Sequence, residues 1–208
     1  MHVYFVRHGE SEANLSMIRQ GPNEPLSRIG ILQAKALAAR VIRIPADVIF
    51  TSNYKRAEET ASYIQAALGK SATNTSLFRE LQPPSELVGL PLHGEESARA
   101  KELKHLHEHE PEWHLSDEEN FFDAKARAKE ALTFLEGLPF QHTIVVTHSQ
   151  LMLHIAAAIL LPETISLTAQ RQFMQHMQIS NTGISNCEFL DSERGWRLVT
   201  WNDSAHLE

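Results

Sequence analysis

Three short stretches of this chain bring cations and imidazoles to the ends of strand-like runs. Val3, Tyr4, Phe5 and Val6 are β-branched or aromatic, as in a buried strand, and they lead directly into Arg7, His8 and Gly9. Val48 to Phe50 form a second apolar run, which ends in Thr51-Ser52, with Arg56 in the first turn of an expected helix. A third run, "TIVVT", ends in His148-Ser149, where another helix begins. A neutral imidazole is a competent nucleophile near pH 7, and arginine holds phosphate oxygens in bidentate fashion. Helix N-termini favour anions, and open α/β sheets gather ligands at the carboxyl ends of their strands. Two arginines and two histidines are therefore expected to meet in one crevice suited to a phosphoryl group.

The elements that would position them alternate along the chain. Ser27 is a plausible cap for a helix carrying Ile29, Leu32, Ala36, Leu37 and Val41 at helical spacing. "YKRAEETASYIQAAL" is a second helix with Ala57, Ala61, Ile64 and Leu68 on one face, and a strand is expected around Ser76 to Phe78. "QLMLHIAAAILL" reads as a helix buried on most of its surface. "TGISNCEFL" and "WRLVTW" read as two late strands in a hairpin around "DSERG". Strand followed by helix, three times, predicts an α/β fold: a mostly parallel central sheet flanked by helices on both faces. Residues 83–120 break the alternation and are polar, rich in Glu and His. They are expected to form a cap-like helical insertion over the site within a single domain, 1–208.

Composition narrows the partners. With 208 residues and a formal charge of −7, the chain is a poor match for nucleic acid or an anionic membrane, whereas a small phosphorylated substrate suits a local arginine cluster. The single cysteine, Cys187, excludes an internal disulfide and suits a reducing, cytoplasmic setting. No basic leader-like segment precedes the first strand, and the longest apolar run, 151–161, is too short to span a bilayer and is interrupted by His154. A homodimer is compatible with all of this. His105 and His109 stand at i, i+4 in "HLHEHEPEWH", but HExxH and a distant ligand set are both missing. They read as a solvated helical face, and no metal is expected. Neither G-x-S-x-G nor G-x-x-x-x-G-K-[ST] occurs, which argues against a serine hydrolase and a nucleotide kinase.

"VRHGESEAN" at 6–14, "QGPNEPLSRIGILQA" at 20–34, "TSNYKRAEETA" at 51–61, "FRE" at 78–80, "VVTHSQLM" at 145–152 and "WNDSAHL" at 201–207 together resemble the histidine phosphatase superfamily. That family includes the cofactor-dependent phosphoglycerate mutases, and the resemblance implies a phosphoglycerate mutase-like fold. It makes His8 the nucleophile that becomes phosphohistidine, with Arg7, Arg56 and His148 on the three phosphoryl oxygens. Asn14 would also touch the phosphate, and Gly21 and Ser149 join the substrate-binding set. Glu80 would be the general acid, with Glu86, Glu95 and Glu96 as alternatives. Ser149 departs from the glycine the family often shows after the second histidine. The expected activity is hydrolysis of a small phosphomonoester without a cofactor. A phosphoglycerate mutase is the alternative, for which 2,3-bisphosphoglycerate would be the cofactor. A phosphate-binding scaffold without turnover is the third reading. The tryptophan-rich text after RHG and the E-R-H-Y-G-type segment of those mutases are missing here, which favours the phosphatase.

Overall fold

The computed structural model describes residues 1–208. The apolar runs become strands β1 (His2–Arg7), β2 (Val48–Ser52), β3 (Ala72–Thr75), β4 (His142–Thr147), β5 (Ile184–Phe189) and β6 (Trp196–Asp203). The helices are α1 (Glu12–Leu15), α2 (Arg28–Val41), α3 (Lys55–Leu68), α4 (Glu95–Leu106), α5 (Phe121–Glu136), α6 (Ser149–Leu160) and α7 (Leu167–Gln175). One six-stranded sheet has the order β3-β2-β4-β1-β5-β6. Strands β1 to β4 run parallel to one another, while β5 pairs antiparallel with β1 and β6 with β5. The fold is therefore α/β with a mostly parallel sheet.

Side chains alternate across each strand and so feed two separate cores. Val3 and Phe5 of β1, Phe50 of β2 and Val145 of β4 pack with residues of α5, α6 and α7 on one face. Val6, Ile49, Ile144 and Val146 pack with Leu37 and Val41 of α2 and Ala57, Ala61 and Ile64 of α3 on the other. Each fully buried aliphatic or aromatic side chain contributes roughly 1.5–3 kcal/mol. With both faces covered, the central strands are held rigidly and their carboxyl ends have little freedom to move.

Three sequence expectations need correction. The strand expected around Ser76 to Phe78 lies earlier, at Ala72–Thr75, and Ser76–Phe78 is a 3₁₀ turn. Polar "ATNT" pairs at the sheet edge with β2 alone, so hydrophobicity did not mark it. On α2, Ile29 and Leu32 are 50% and 60% exposed, and the buried stripe is Gly30, Ala34, Leu37 and Val41. Small residues occupy that stripe because the helix start approaches the chain after β1 very closely. Finally, α4 ends at Leu106, so His105 and His109 do not share a helical face.

That close approach bears on the site. Ser27 caps α2 by accepting from the Gly30 N–H at 3.0 Å, and its hydroxyl donates to the Glu10 carboxylate at 2.7 Å. The Ser27 N–H donates to the Glu10 carbonyl at 2.8 Å. A Cβ on Gly30 would lie 1.9 Å from that same carbonyl oxygen, and one on Gly9 would lie 2.7 Å from the Gly30 oxygen. Gly30→Ala is therefore expected to push α2 off the 9–10 segment, cost about 1–3 kcal/mol, and lower turnover by displacing neighbouring His8. Urea denaturation checks this, and unaltered stability would contradict so tight a packing.

Candidate active site

Sheet register brings the functional strand ends level. Arg7 pairs with Thr147 across β1 and β4, and Thr51 of β2 pairs with Val146. His8, Ser52 and His148 therefore leave the sheet side by side. Pairing continues one step beyond the strands, since the His8 N–H donates to the Thr147 carbonyl at 2.9 Å. On its other side, β1 is closed by the Thr182 N–H donating to the Arg7 carbonyl at 3.0 Å, and by the Asn181 amide on the His8 carbonyl at 3.0 Å. Thr60 of α3 ties this segment to Arg56: its hydroxyl accepts from the Gly9 N–H at 3.0 Å and donates to the Arg56 carbonyl at 2.7 Å.

His8 is 3% exposed. Its Nδ1 lies 2.6 Å from the Gly9 carbonyl, an acceptor only, so Nδ1 carries the proton and Nε2 keeps its lone pair. The Arg56 Nε donates to that Nε2 at 3.2 Å. Burial first, then the charges of Arg56 and Arg7, hold the His8 pKa well below the ordinary imidazole value. His148 lies behind it, with ring centroids 4.9 Å apart; its Nε2 faces the Ser52 hydroxyl at 2.8 Å and its buried Nδ1 has no partner. Burial and then Arg56 and His8 depress its pKa as well.

The arginines are held by carbonyls. Arg56 Nη1 donates to the Gly21 oxygen at 2.8 Å, and Arg7 Nη1 donates to the Ile179 oxygen at 2.6 Å, while the Arg7 Nε is buried without a partner. Neither belongs to any ion pair of the fold. Burial pulls the Arg56 pKa down to about 10, with Glu80 opposing the shift, so it remains a cation at neutral pH. Donors of this kind, aimed into one space without anionic partners, suit a group that spreads negative charge over several oxygens.

Glu80 reaches the same space from the turn after β3. Thr147 fixes that turn by donating to the Phe78 carbonyl at 2.7 Å, and Arg127 of α5 donates to the carbonyls of Leu77 and Arg79. The Glu80 carboxylate accepts from the N–H groups of Gln150 and Leu151, each at 3.2 Å, at the start of α6, with the Ser149 hydroxyl at 3.5 Å. Glu86, Glu95 and Glu96, the alternative acids, are exposed and do not line the cleft.

Arg7, His8, Asn14, Arg56, Glu80 and Ser149 share one cleft of about 410 Å³. Asn14 closes the capping box of α1, accepting from the Ser11 N–H and hydroxyl at 3.1 Å through Oδ1, which turns its amide NH₂ toward donation. His148 and Gly21 do not line this cleft: one backs His8 and the other anchors Arg56. Sequence reasoning missed Arg19, Lys104, Glu118 and Glu119, which also line it. It also missed the positioning hydroxyls of Ser52 and Thr60, although Thr60 lies in the motif that flagged Arg56. No group of three His, Cys, Asp or Glu side chains is arranged to hold a metal ion. His105 and His109 are both exposed and lean on Glu108.

Comparison with known proteins bears on the family and the fold. The model of the histidine phosphatase superfamily (branch 1) matches residues 3–204. The "probable phosphoglycerate mutase GpmB" of Proteus mirabilis is 29% identical over 217 residues, covering 100% of this chain and 95% of that protein. Its namesake in Serratia proteamaculans is 27% identical over 216 residues, with the same coverage. Among solved structures, Bacillus stearothermophilus YhfR superposes with a TM-score of 0.81 at 22% identity, over 100% of this chain and 99% of that one. A mycobacterial glucosyl-3-phosphoglycerate phosphatase does so with a TM-score of 0.78 at 24% identity, over 98% and 99%. At these identities the structures speak to the fold alone. No helix is long and apolar enough to cross a membrane. With a family model spanning nearly all of its length, the chain belongs to the histidine phosphatase superfamily.

Proposed function

We propose that this protein is a phosphatase that hydrolyses small phosphomonoesters through a phosphohistidine on His8. The observation that carries the reading is the His8 imidazole. Its Nδ1–H is tied to Gly9, and its Nε2 faces a cluster of arginines that have no carboxylate partner. The Nε2 lone pair attacks phosphorus while the bond to the ester oxygen breaks, and Glu80 gives its proton to the departing alkoxide. The Arg56 Nε now on that lone pair moves to a phosphoryl oxygen, where Arg7 and the Asn14 amide join it. His148, behind His8, does not reach the cleft and acts by backing the nucleophile's ring. In the second half, the Glu80 carboxylate takes a proton from water, the water oxygen attacks phosphorus, and the P–N bond breaks to release inorganic phosphate. Residues 83–120 serve as a cap, since Lys104, Glu118 and Glu119 form part of the cleft wall.

The mutase is the second reading, favoured by the names of the curated relatives. A mutase must grip a second anionic group on its substrate. Against it, Lys104 is paired with Glu118, whose side chain is 3% exposed, and Arg79 and Arg127 are paired with Glu119, which leaves Arg19 as the single outer cation outside an ion pair.

The enzyme is expected to hydrolyse p-nitrophenyl phosphate without added metal, and His8→Ala to lower kcat on the order of 10⁴-fold or more. Quenching during turnover of labelled substrate should yield an acid-labile, alkali-stable adduct on His8; label on another residue would refute the assignment. Nitrogen-15 NMR should find the Nδ1–H tautomer of His8 at pH 7. It should remain neutral well below pH 6.5, because its depressed pKa disfavours the imidazolium. Glu80→Gln should lower kcat for an alkyl phosphate by about 10²–10⁴-fold but cost less with p-nitrophenyl phosphate, whose leaving group needs no proton. Equal losses on both substrates would remove Glu80 from the acid role. Fast isomerisation of 3-phosphoglycerate primed with the 2,3-bisphosphate, with little phosphate release, would select the mutase.

A further inference from the structure

A second cavity, also of about 410 Å³, adjoins the catalytic cleft and shares Leu81, Lys104, Glu118, Glu119 and Gln150 with it. No step of the proposed reaction uses it. Its floor is apolar: Phe121 and Phe122 from the start of α5, Leu153 from α6 and Met174 from α7. Trp113 adds a flat wall, stacked on His107 with ring centroids 4.4 Å apart and planes 8° from parallel. Its size fits a small-molecule site, with an apolar floor and wall set in a polar rim.

One polar group of the lining lacks a partner. His154 of α6 is 2% exposed, its ring lies 4.8 Å from that of Phe121, and its buried Nδ1 makes no hydrogen bond. The charges indicate what kind of ligand. Acidic Glu108, Glu110, Glu118 and Glu119 outnumber basic Lys104 and Arg171. Both bases are neutralised locally, Lys104 by Glu118 and Arg171 by Glu108 at 2.6 Å, and the Arg171 guanidinium lies over the Phe121 ring at 5.1 Å. Glu119 is paired in turn with Arg127 and Arg79, so a second phosphate or a carboxylate would find no free lysine or arginine here, whereas an uncharged flat ring would bury apolar area against Phe and Trp faces.

We propose that this cavity receives the alcohol half of the substrate, and that the preferred substrates are phosphate monoesters of uncharged, ring-bearing alcohols. The inference rests on the phosphatase reading and extends it to a substrate class. The phosphoryl group sits among Arg7, His8 and Arg56, and the alcohol passes Leu81 and Gln150 to lie over Phe121 and Phe122.

The test compares 2-phenylethyl phosphate with ethyl phosphate, whose leaving alcohols are similarly basic. The expected kcat/KM preference for the phenyl compound is about 10- to 100-fold, the benefit of burying one ring. Trp113→Ala and Phe122→Ala should each reduce that ratio, and two variants guard against one failing to fold. Equal kcat/KM for the two esters, a ratio untouched in both variants, or a preference for 3-phosphoglycerate over 2-phenylethyl phosphate would each overturn the assignment. If neither ester is hydrolysed, the phosphatase reading fails, and calorimetry on the wild-type protein then judges the cavity alone. Tighter binding of the phenyl ester supports it, and equal affinities sink it.

Discussion

Arg56 is 1% exposed, and neither it nor Arg7 has a carboxylate partner. Removing an ion from water costs several kcal/mol even after relaxation, so the fold must supply replacements for the lost hydration. It does so with neutral dipoles: the carbonyls of Gly21 and Ile179 take one N–H each, and the His8 lone pair takes another. Neutral acceptors hold a guanidinium in place without cancelling its charge. The cations therefore keep their attraction for an arriving anion, whereas a carboxylate partner would have cancelled it. Burial, reinforced by this positive field, keeps His8 and His148 unprotonated, so under the proposed mechanism one arrangement would both bind phosphate and preserve the nucleophile.

Carbonyl oxygens work as anchors only where the backbone cannot drift. Two cores clamp the sheet, and its register sets the ends of β1, β4 and β2 at one level. Beyond the strands, support becomes local. Thr60 links Gly9 to Arg56, Ser27 and Gly30 press against Glu10, and Thr147 holds the turn that leads to Glu80. Each contact joins a residue near the chemistry to an element far away in sequence, and each uses a small side chain. A longer side chain at Gly30 would displace the backbone it is meant to brace.

The same contrast explains what could be read from the sequence. Strand ends were legible because a β-branched run followed by a cation or imidazole is a local signal, and the long helices carry strong periodicity. The family-like motifs supplied Glu80, whose position depends on a turn that periodicity does not mark. The α2 face was misread because apolar size points to Ile29 and Leu32, while close packing selects Gly30 and Ala34. β3 escaped because an edge strand with one partner can remain polar. Arg19, Lys104, Glu118 and Glu119 were invisible for another reason. They reach the cleft from loops and from the 83–120 segment, where nothing short-range tells an inward-facing charge from a solvated one.

Those invisible residues set how much negative charge the cleft can receive. Near the proposed phosphoryl position, Arg7 and Arg56 stand outside any ion pair, with Glu80 the one acid of the inner cleft. Farther out, Glu118 neutralises Lys104, and Glu119 engages Arg127 through two short contacts at 2.5 and 2.7 Å, with Arg79 at 3.5 Å. Arg19 is the remaining cation of the wall without an ion pair, and its Nε is buried with no partner. Positive potential is therefore concentrated at the inner end and falls off steeply toward the cap, because paired charges at contact distance look nearly neutral from several ångströms away. Under the proposed function, a monoester dianion with an uncharged tail would follow that gradient inward. A molecule carrying a second anionic group must place it either on Arg19 alone or against buried carboxylates. In the proposed reaction, the 83–120 segment would thus select against charge at the outer end while the sheet attracts it at the inner end, and these opposed preferences would orient the ester with phosphorus toward His8.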